Sequence, residues 1–118
     1  MAQASAAIAA CLGVRQTHSI GVESGLVIVE WDDEKAIGNR RKHGVSFDEA
    51  ISALEDPLSI TFRDPDHSLD EMRFLTFGHG CSGGILVVAH TDREDAVRLI
   101  SARRATRAER RFYEEERR

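Results

Sequence analysis

Five histidines, two cysteines and twenty acidic residues are the groups in this chain that could hold a metal ion or attack a substrate. Their spacing argues against both. His18, His43, His67, His79 and His90 never pair at a helical or hairpin ligand spacing, and neither HxxxH nor CxxC is present. Asp64, Asp66 and Asp70 surround a proline turn, where such carboxylates bond to the local backbone. GHGCSGG (78–84) lacks the Lys and Ser/Thr of a phosphate loop and falls between two apolar runs, so it reads as a hairpin turn. Cys81, inside it, has no flanking cation or base to activate a thiol. Cys11 and Cys81 form neither a metal pair nor a disulfide framework.

What remains is arginine. Arg73 stands inside EMRFLTFG (71–78) and Arg103 closes DAVRLISAR (95–103). An arginine in an otherwise apolar strand requires a partner or a ligand. Arg103 also precedes a helix start at Thr106, whose free N–H groups favour an anion. Period two in the last strand puts Arg98, Ile100 and Ala102 on one face and Val97, Leu99, Ser101 and Arg103 on the other. Arg40, Arg41, Lys42 and His43 end the first helix, where cations also suit the dipole. Arg107, Arg110 and Arg111 have a blander reading, since Arg110–Glu114 and Arg111–Glu115 are i,i+4 pairs on a surface helix.

The elements that position these groups follow from capping and alternation. LVIVEW (26–31) reads as a strand, and Asp32 caps a helix that runs to Gly44. Ser46-Phe47-Asp48-Glu49 is a capping box for a short helix that Pro57 stops. LSITFR (58–63), EMRFLTFG (71–78), ILVVAHT (85–91) and DAVRLISAR (95–103) read as four strands. Thr106-Arg107-Ala108-Glu109 is a second capping box, opening a C-terminal helix. The order β-α-α-β-β-β-β-α predicts an α+β domain: an antiparallel meander packed on helices, with one sheet face free for a ligand.

The 118 residues suffice for one such domain over 26–118. Residues 1–25 are rich in Ala, Ser and Gly and are expected to be a disordered extension; their start lacks the basic region of an export signal. No run of apolar residues is long enough to span a membrane. A net charge of −4 argues mildly against general nucleic-acid affinity, but the acids cluster in WDDE, FDEA and DPD, away from the arginines.

VEWDDEKAIGNRRKHGVSFDEA (29–50), DPDHSLDEMRFLTFG (64–78) and ILVVAHTDREDAVRLISARRATRAERRFYEE (85–115) together resemble the BrnT family of bacterial type II toxins. The resemblance implies a RelE-like fold and a cytoplasmic ribonuclease that stops translation, without metal or other cofactor. It implies attack by the RNA 2′-hydroxyl on the adjacent phosphate to leave a 2′,3′-cyclic phosphate. It implies neutralisation by a BrnA-like ribbon-helix-helix antitoxin, through which alone the complex would reach operator DNA. Carried over by position, Arg73 and Arg103 are the phosphate-clamping candidates, and Glu71 is a candidate base. Met72 stands where many relatives place the glutamate directly before the arginine. Lys42 and His43 are candidates for charge and proton transfer, or His43 is simply a helix-end residue. Arg98, Ser101, Arg104 and Arg41 complete a substrate-binding set, with Trp31 and Tyr113 as residues able to stack a base; Trp31 reads first as core. The competing reading is a catalytically inactive RNA- or protein-binding module of the same fold.

Overall fold

The computed structural model describes residues 15–22, 25–64, 72–93 and 96–116, with side chains for 28–64, 72–92 and 96–116. Six strands and three helices are present among them. They are β1 (Arg15–Val22), β2 (Gly25–Asp32), α1 (Asp33–His43), α2 (Phe47–Leu54), β3 (Ile60–Arg63), β4 (Arg73–His79), β5 (Ile85–Arg93), β6 (Ala96–Arg104) and α3 (Arg107–Glu116). The strands form one sheet in the order β1-β2-β6-β5-β4-β3. All neighbours are antiparallel except β2 and β6, which run parallel over Ile28–Glu30 and Ala96–Arg98. The meander of β3 to β6 is therefore as expected, and the first strand of the domain joins it in parallel.

One expectation fails at the start of the chain. Residues 15–22, placed in a disordered extension, form β1 and pair with β2 from Arg15↔Asp32 to Val22↔Gly25. The reason is backbone, not side chain. The outer edge of β2 carries unpaired N–H and C=O groups, and a β-hairpin satisfies them without any core periodicity in the added strand.

α1 has almost no apolar face; among its side chains only that of Asn39 is buried. Its ends sustain it. Asp32 Oδ1 accepts from Glu34 N–H at 2.8 Å. Asp33 and Glu34 lie in the first turn, and Arg40, Arg41, Lys42 and His43 in the last, matching the helix dipole at both ends. Gly44 closes the helix at φ 71°, a left-handed geometry that favours glycine. α2 is amphipathic, burying Phe47, Ala50 and Ala53. Its alanines allow a close approach to β4, where a Cβ on Gly78 would run into the Ala53 carbonyl oxygen.

The sheet has a core on each face. On the first face, α1 and α2 cover Val29, Trp31, Leu86, Val88, Leu99 and Ala102. On the second, Tyr113 of α3 packs on Phe77, Ile85 and Val87, with Phe62 and Leu75 beside them. A β-bulge in β6 decides which side chains face which way. Ala89 pairs with Ser101 but His90 pairs with Leu99, leaving Ile100 as the extra residue. Leu99 and Ala102, three residues apart, consequently share the first core. The strict alternation expected for β6 is thus corrected: Arg98 joins Ser101 and Arg103 on the second face.

Candidate active site

Strand pairing builds a row of polar residues across the second face. Arg73 on β4 is the partner of Thr91 on β5. Thr91 is the partner of Arg98 on β6, and Arg98 of Glu30 on β2. Paired residues point to the same side, so Arg73, Thr91, Arg98 and Glu30 line up on four adjacent strands. The two arginines are half-buried and two strands apart, about 10 Å between their backbones, so their long side chains can converge on one anion. Thr91 lies between them, 2 % exposed. Its Oγ1 is, among the described residues, the one buried side-chain nitrogen or oxygen without a hydrogen-bond partner.

Arg103 lies elsewhere on this face. It pairs with Val87, which pairs with Phe77, four residues along β4 from Arg73. That is about 13 Å along the strands from the row. Its guanidinium grips Glu109 with two hydrogen bonds, Nη1–Oε1 at 2.7 Å and Nη2–Oε2 at 2.9 Å. Glu109 completes the capping box of α3: its Oε1 accepts from Thr106 N–H at 2.8 Å, while its own N–H donates to Thr106 Oγ1 at 3.2 Å. The Arg103 hydrogen bonds, set against partial burial, hold the Glu109 carboxyl at about 2, and the same contact raises Arg103. Arg103 therefore fastens α3 to the sheet.

The other expected site residues are scattered. Lys42 and His43 end α1, on the opposite face of the sheet from Arg73. Arg41 is exposed on the same helix, and Arg104 is exposed at the end of β6. Ser101 is half-buried on the second face, beside Ala89 of β5 and two strands from Leu75 of β4. Glu71 lies outside the described residues, as do Asp66, Asp70 and His67, while Met72 is 52 % exposed. Trp31 packs edge-on against Phe47 in the first core, 5 % exposed, and offers no face to a base. Tyr113 is fully buried and donates its hydroxyl to Asp56 Oδ2 at 2.5 Å. Asp56 also accepts from the N–H groups of His79 and Leu58. Burial pushes the Asp56 carboxyl up, but these hydrogen bonds and the nearby His79 outweigh it and hold the group below its ordinary range.

Sequence reasoning missed three residues. Glu30 and Thr91 sit in strands whose pairing only the fold reveals. Asn39 sits in a charged helix, yet its side chain replaces a strand partner for Ala102. It donates to the Ala102 carbonyl at 2.8 Å and accepts from the Ala102 N–H at 3.0 Å. Its Nδ2 also donates to the Val45 carbonyl at 2.9 Å. Among the described residues no group of three or more His, Cys, Asp or Glu converges on a possible metal position.

The chain is thus a small α+β protein with two arginines in register on one face of its sheet. The comparisons say which group of proteins it joins. The family model described as ribonuclease toxin, BrnT, of type II toxin–antitoxin systems matches residues 31–109, two-thirds of the chain. The chain belongs to that family and is a ribonuclease toxin of a type II toxin–antitoxin system. It is similar to the 1.1 Å crystal structure of the Brucella abortus ribonuclease toxin BrnT, at 25% identity and a TM-score of 0.52. That match covers 65% of this chain and 94% of the Brucella chain. No curated protein matches the sequence. The family match begins at Trp31, so β1 and most of β2 lie outside it.

Proposed function

We propose that this toxin cleaves RNA without a metal ion, on the open part of the second sheet face. The observation that carries the reading is the row Arg73–Thr91–Arg98–Glu30 in a member of a ribonuclease family. Arg73 and Arg98 hold the scissile phosphate between them and neutralise the charge that grows as the phosphorane forms. Glu30, the carboxylate of the row, accepts the proton of the attacking 2′-hydroxyl. The 5′-oxygen leaves with a proton from water, and the product carries a 2′,3′-cyclic phosphate. Ser101 contacts the next nucleotide on the same face. Arg103 has its charge satisfied by Glu109 and acts by fixing α3. Lys42, His43, Arg41 and Arg104 serve as peripheral charge for the RNA backbone rather than as proton carriers.

The same reading gives the toxin a cytoplasmic target in translation and a ribbon-helix-helix antitoxin of the BrnA type. The antitoxin would also carry the complex to operator DNA. The toxin domain spans residues 26–118, with β1 as an added edge strand.

The test is cleavage of a defined single-stranded RNA in EDTA, with end-group analysis of the product. Wild type is expected to cut and leave a cyclic phosphate, and Arg73→Ala to lose at least about a hundredfold, the scale of removing one charged transition-state contact. RNA binding without cleavage by the wild type would identify a binding module of the same fold. Cleavage only after a divalent cation is restored would overturn metal independence.

A further inference from the structure

We propose that the Thr91 hydroxyl is a direct contact to the substrate phosphate, donating a hydrogen bond from the floor of the arginine row. This deepens the reading of that face as the RNA site and rests on it.

Thr91 is in a place where threonine is a poor choice for stability. It is 2 % exposed, and its Oγ1 has no hydrogen-bond partner among the described residues. Leaving a buried hydroxyl unpaired costs stability, and valine would fill nearly the same volume in a strand without that cost. The buried side chains of Thr76, Asn39 and Glu49 are all matched. Thr76 bonds His90 Nε2 and Thr61 Oγ1, each at 2.7 Å. Asn39 is matched with Ala102, and Glu49 accepts from Ser82. A single exception amid so much pairing calls for a reason.

Its position supplies one. Register sets Thr91 midway between Arg73 and Arg98 and on their side of the sheet. A tetrahedral phosphate seated between two guanidiniums presents a further oxygen toward the sheet. As the arginines move onto its outer oxygens, that inner oxygen comes within reach of Thr91 Oγ1. Among the described residues the hydroxyl has no competing acceptor to leave, so it is preorganised as a donor. Immediately behind it, His90 Nδ1 is bonded to Asp92 Oδ1 at 2.7 Å and Nε2 to Thr76, which fixes the backbone of this part of β5. A bond to a nonbridging oxygen strengthens as negative charge accumulates there, so its effect belongs mainly to kcat.

The test compares Thr91→Val and Thr91→Ser with wild type in the full chain. Three readouts are taken: thermal midpoint, the rise in that midpoint on adding inorganic phosphate, and kcat and KM for a single-stranded RNA. For Thr91→Val we expect a midpoint about 2–4 °C higher than wild type, since the unpaired hydroxyl is gone. Its phosphate-induced rise should fall to less than half the wild-type value. Its kcat should drop about ten- to a hundredfold with KM within about threefold, the signature of a contact made in the transition state. Thr91→Ser should keep both the phosphate response and kcat within about threefold. The proposal is overturned by an undiminished phosphate response in Thr91→Val, by no response in any form, or by a lower midpoint with a kcat loss shared by Thr91→Ser. If wild type cuts no RNA yet the phosphate responses separate as expected, the contact stands and the RNA reading alone fails.

Discussion

The two faces of the sheet are built to different rules. Under α1 and α2, apolar side chains interlock and the buried polar groups are bonded: Asn39 to Ala102, and Thr76 to His90. The second face is divided. Where α3 lies, Tyr113, Phe77 and Val87 form a compact core and Arg103 is neutralised by Glu109. Beyond α3, two arginines face each other across an unpaired hydroxyl. Like charges and an unsatisfied donor lower stability wherever they occur. Their concentration on one row beyond α3 is what the proposed anion site rests on.

The largest expected effect is on the covered face. Trp31→Ala should lower unfolding stability by about 3–5 kcal/mol, the range for truncating a buried aromatic ring, read by denaturant titration. If stability held while RNA cleavage vanished, Trp31 would be a stacking residue and the contrast between faces would break. Asn39→Ala comes next. It strips partners from the buried N–H and C=O of Ala102 and from the Val45 carbonyl. We expect a loss of about 2–4 kcal/mol, with faster hydrogen exchange at the Ala102 amide. A loss below about 0.5 kcal/mol would mean water substitutes freely there, and α1 would be held by its capped ends alone.

Much of this architecture was legible in the sequence because it is written in local signals. Asp32, Gly44, Ser46 and Thr106 mark helix ends by side-chain and backbone chemistry that acts within four residues. Alternation marked β3 to β6 as strands for the same reason. The site was less legible because it is a fact of register. Arg73 and Arg103 stood out as strand arginines and Arg98 only as a binding candidate, because the alignment of Arg73 with Arg98 depends on the pairing of β4, β5 and β6. The bulge at Ile100, which turns Arg98 onto Arg73's face, leaves no mark in the apolar pattern. The two capping boxes show the same limit in miniature. Glu109 reaches back to Thr106 as the motif implies, whereas Glu49 is bonded instead to Ser82 across the fold. Ser46 and Thr106 both cap as expected; where the glutamate goes depends on what the fold brings near it.

Glu109 sharpens the comparison within the second face, because it joins the covered half through a titratable contact. Its carboxyl sits at about 2 against an ordinary value of 4.5. A carboxylate depressed on folding contributes its stability in full above the ordinary value and loses it as pH falls through the depressed one. Stability should therefore decline between about pH 5 and pH 2, and Glu109→Gln should remove that decline. At neutral pH the variant should be about 1–2 kcal/mol less stable, a figure kept low because the Arg103 side chain is 37% exposed to screening solvent. The wild-type and variant curves should merge near pH 2. Parallel curves across that range would assign the acid loss to other carboxylates, Asp56 first among them.

The smallest expected change is the one that best defines the open row. Arg73→Ala removes a half-buried cation that has no ion pair among the described residues, two strands from a second cation. Lost aliphatic packing lowers stability slightly and relief of repulsion raises it. The net should stay within about 0.5 kcal/mol of wild type by denaturant titration. This near-neutrality is informative only beside the activity of the same variant, expected to fall at least about a hundredfold. A residue that matters to folding moves both quantities together, as Trp31 should. If Arg73→Ala instead cost several kcal/mol, its guanidinium would be a structural tie like that of Arg103. The anion site would then have to be sought around Arg98 and Ser101 alone.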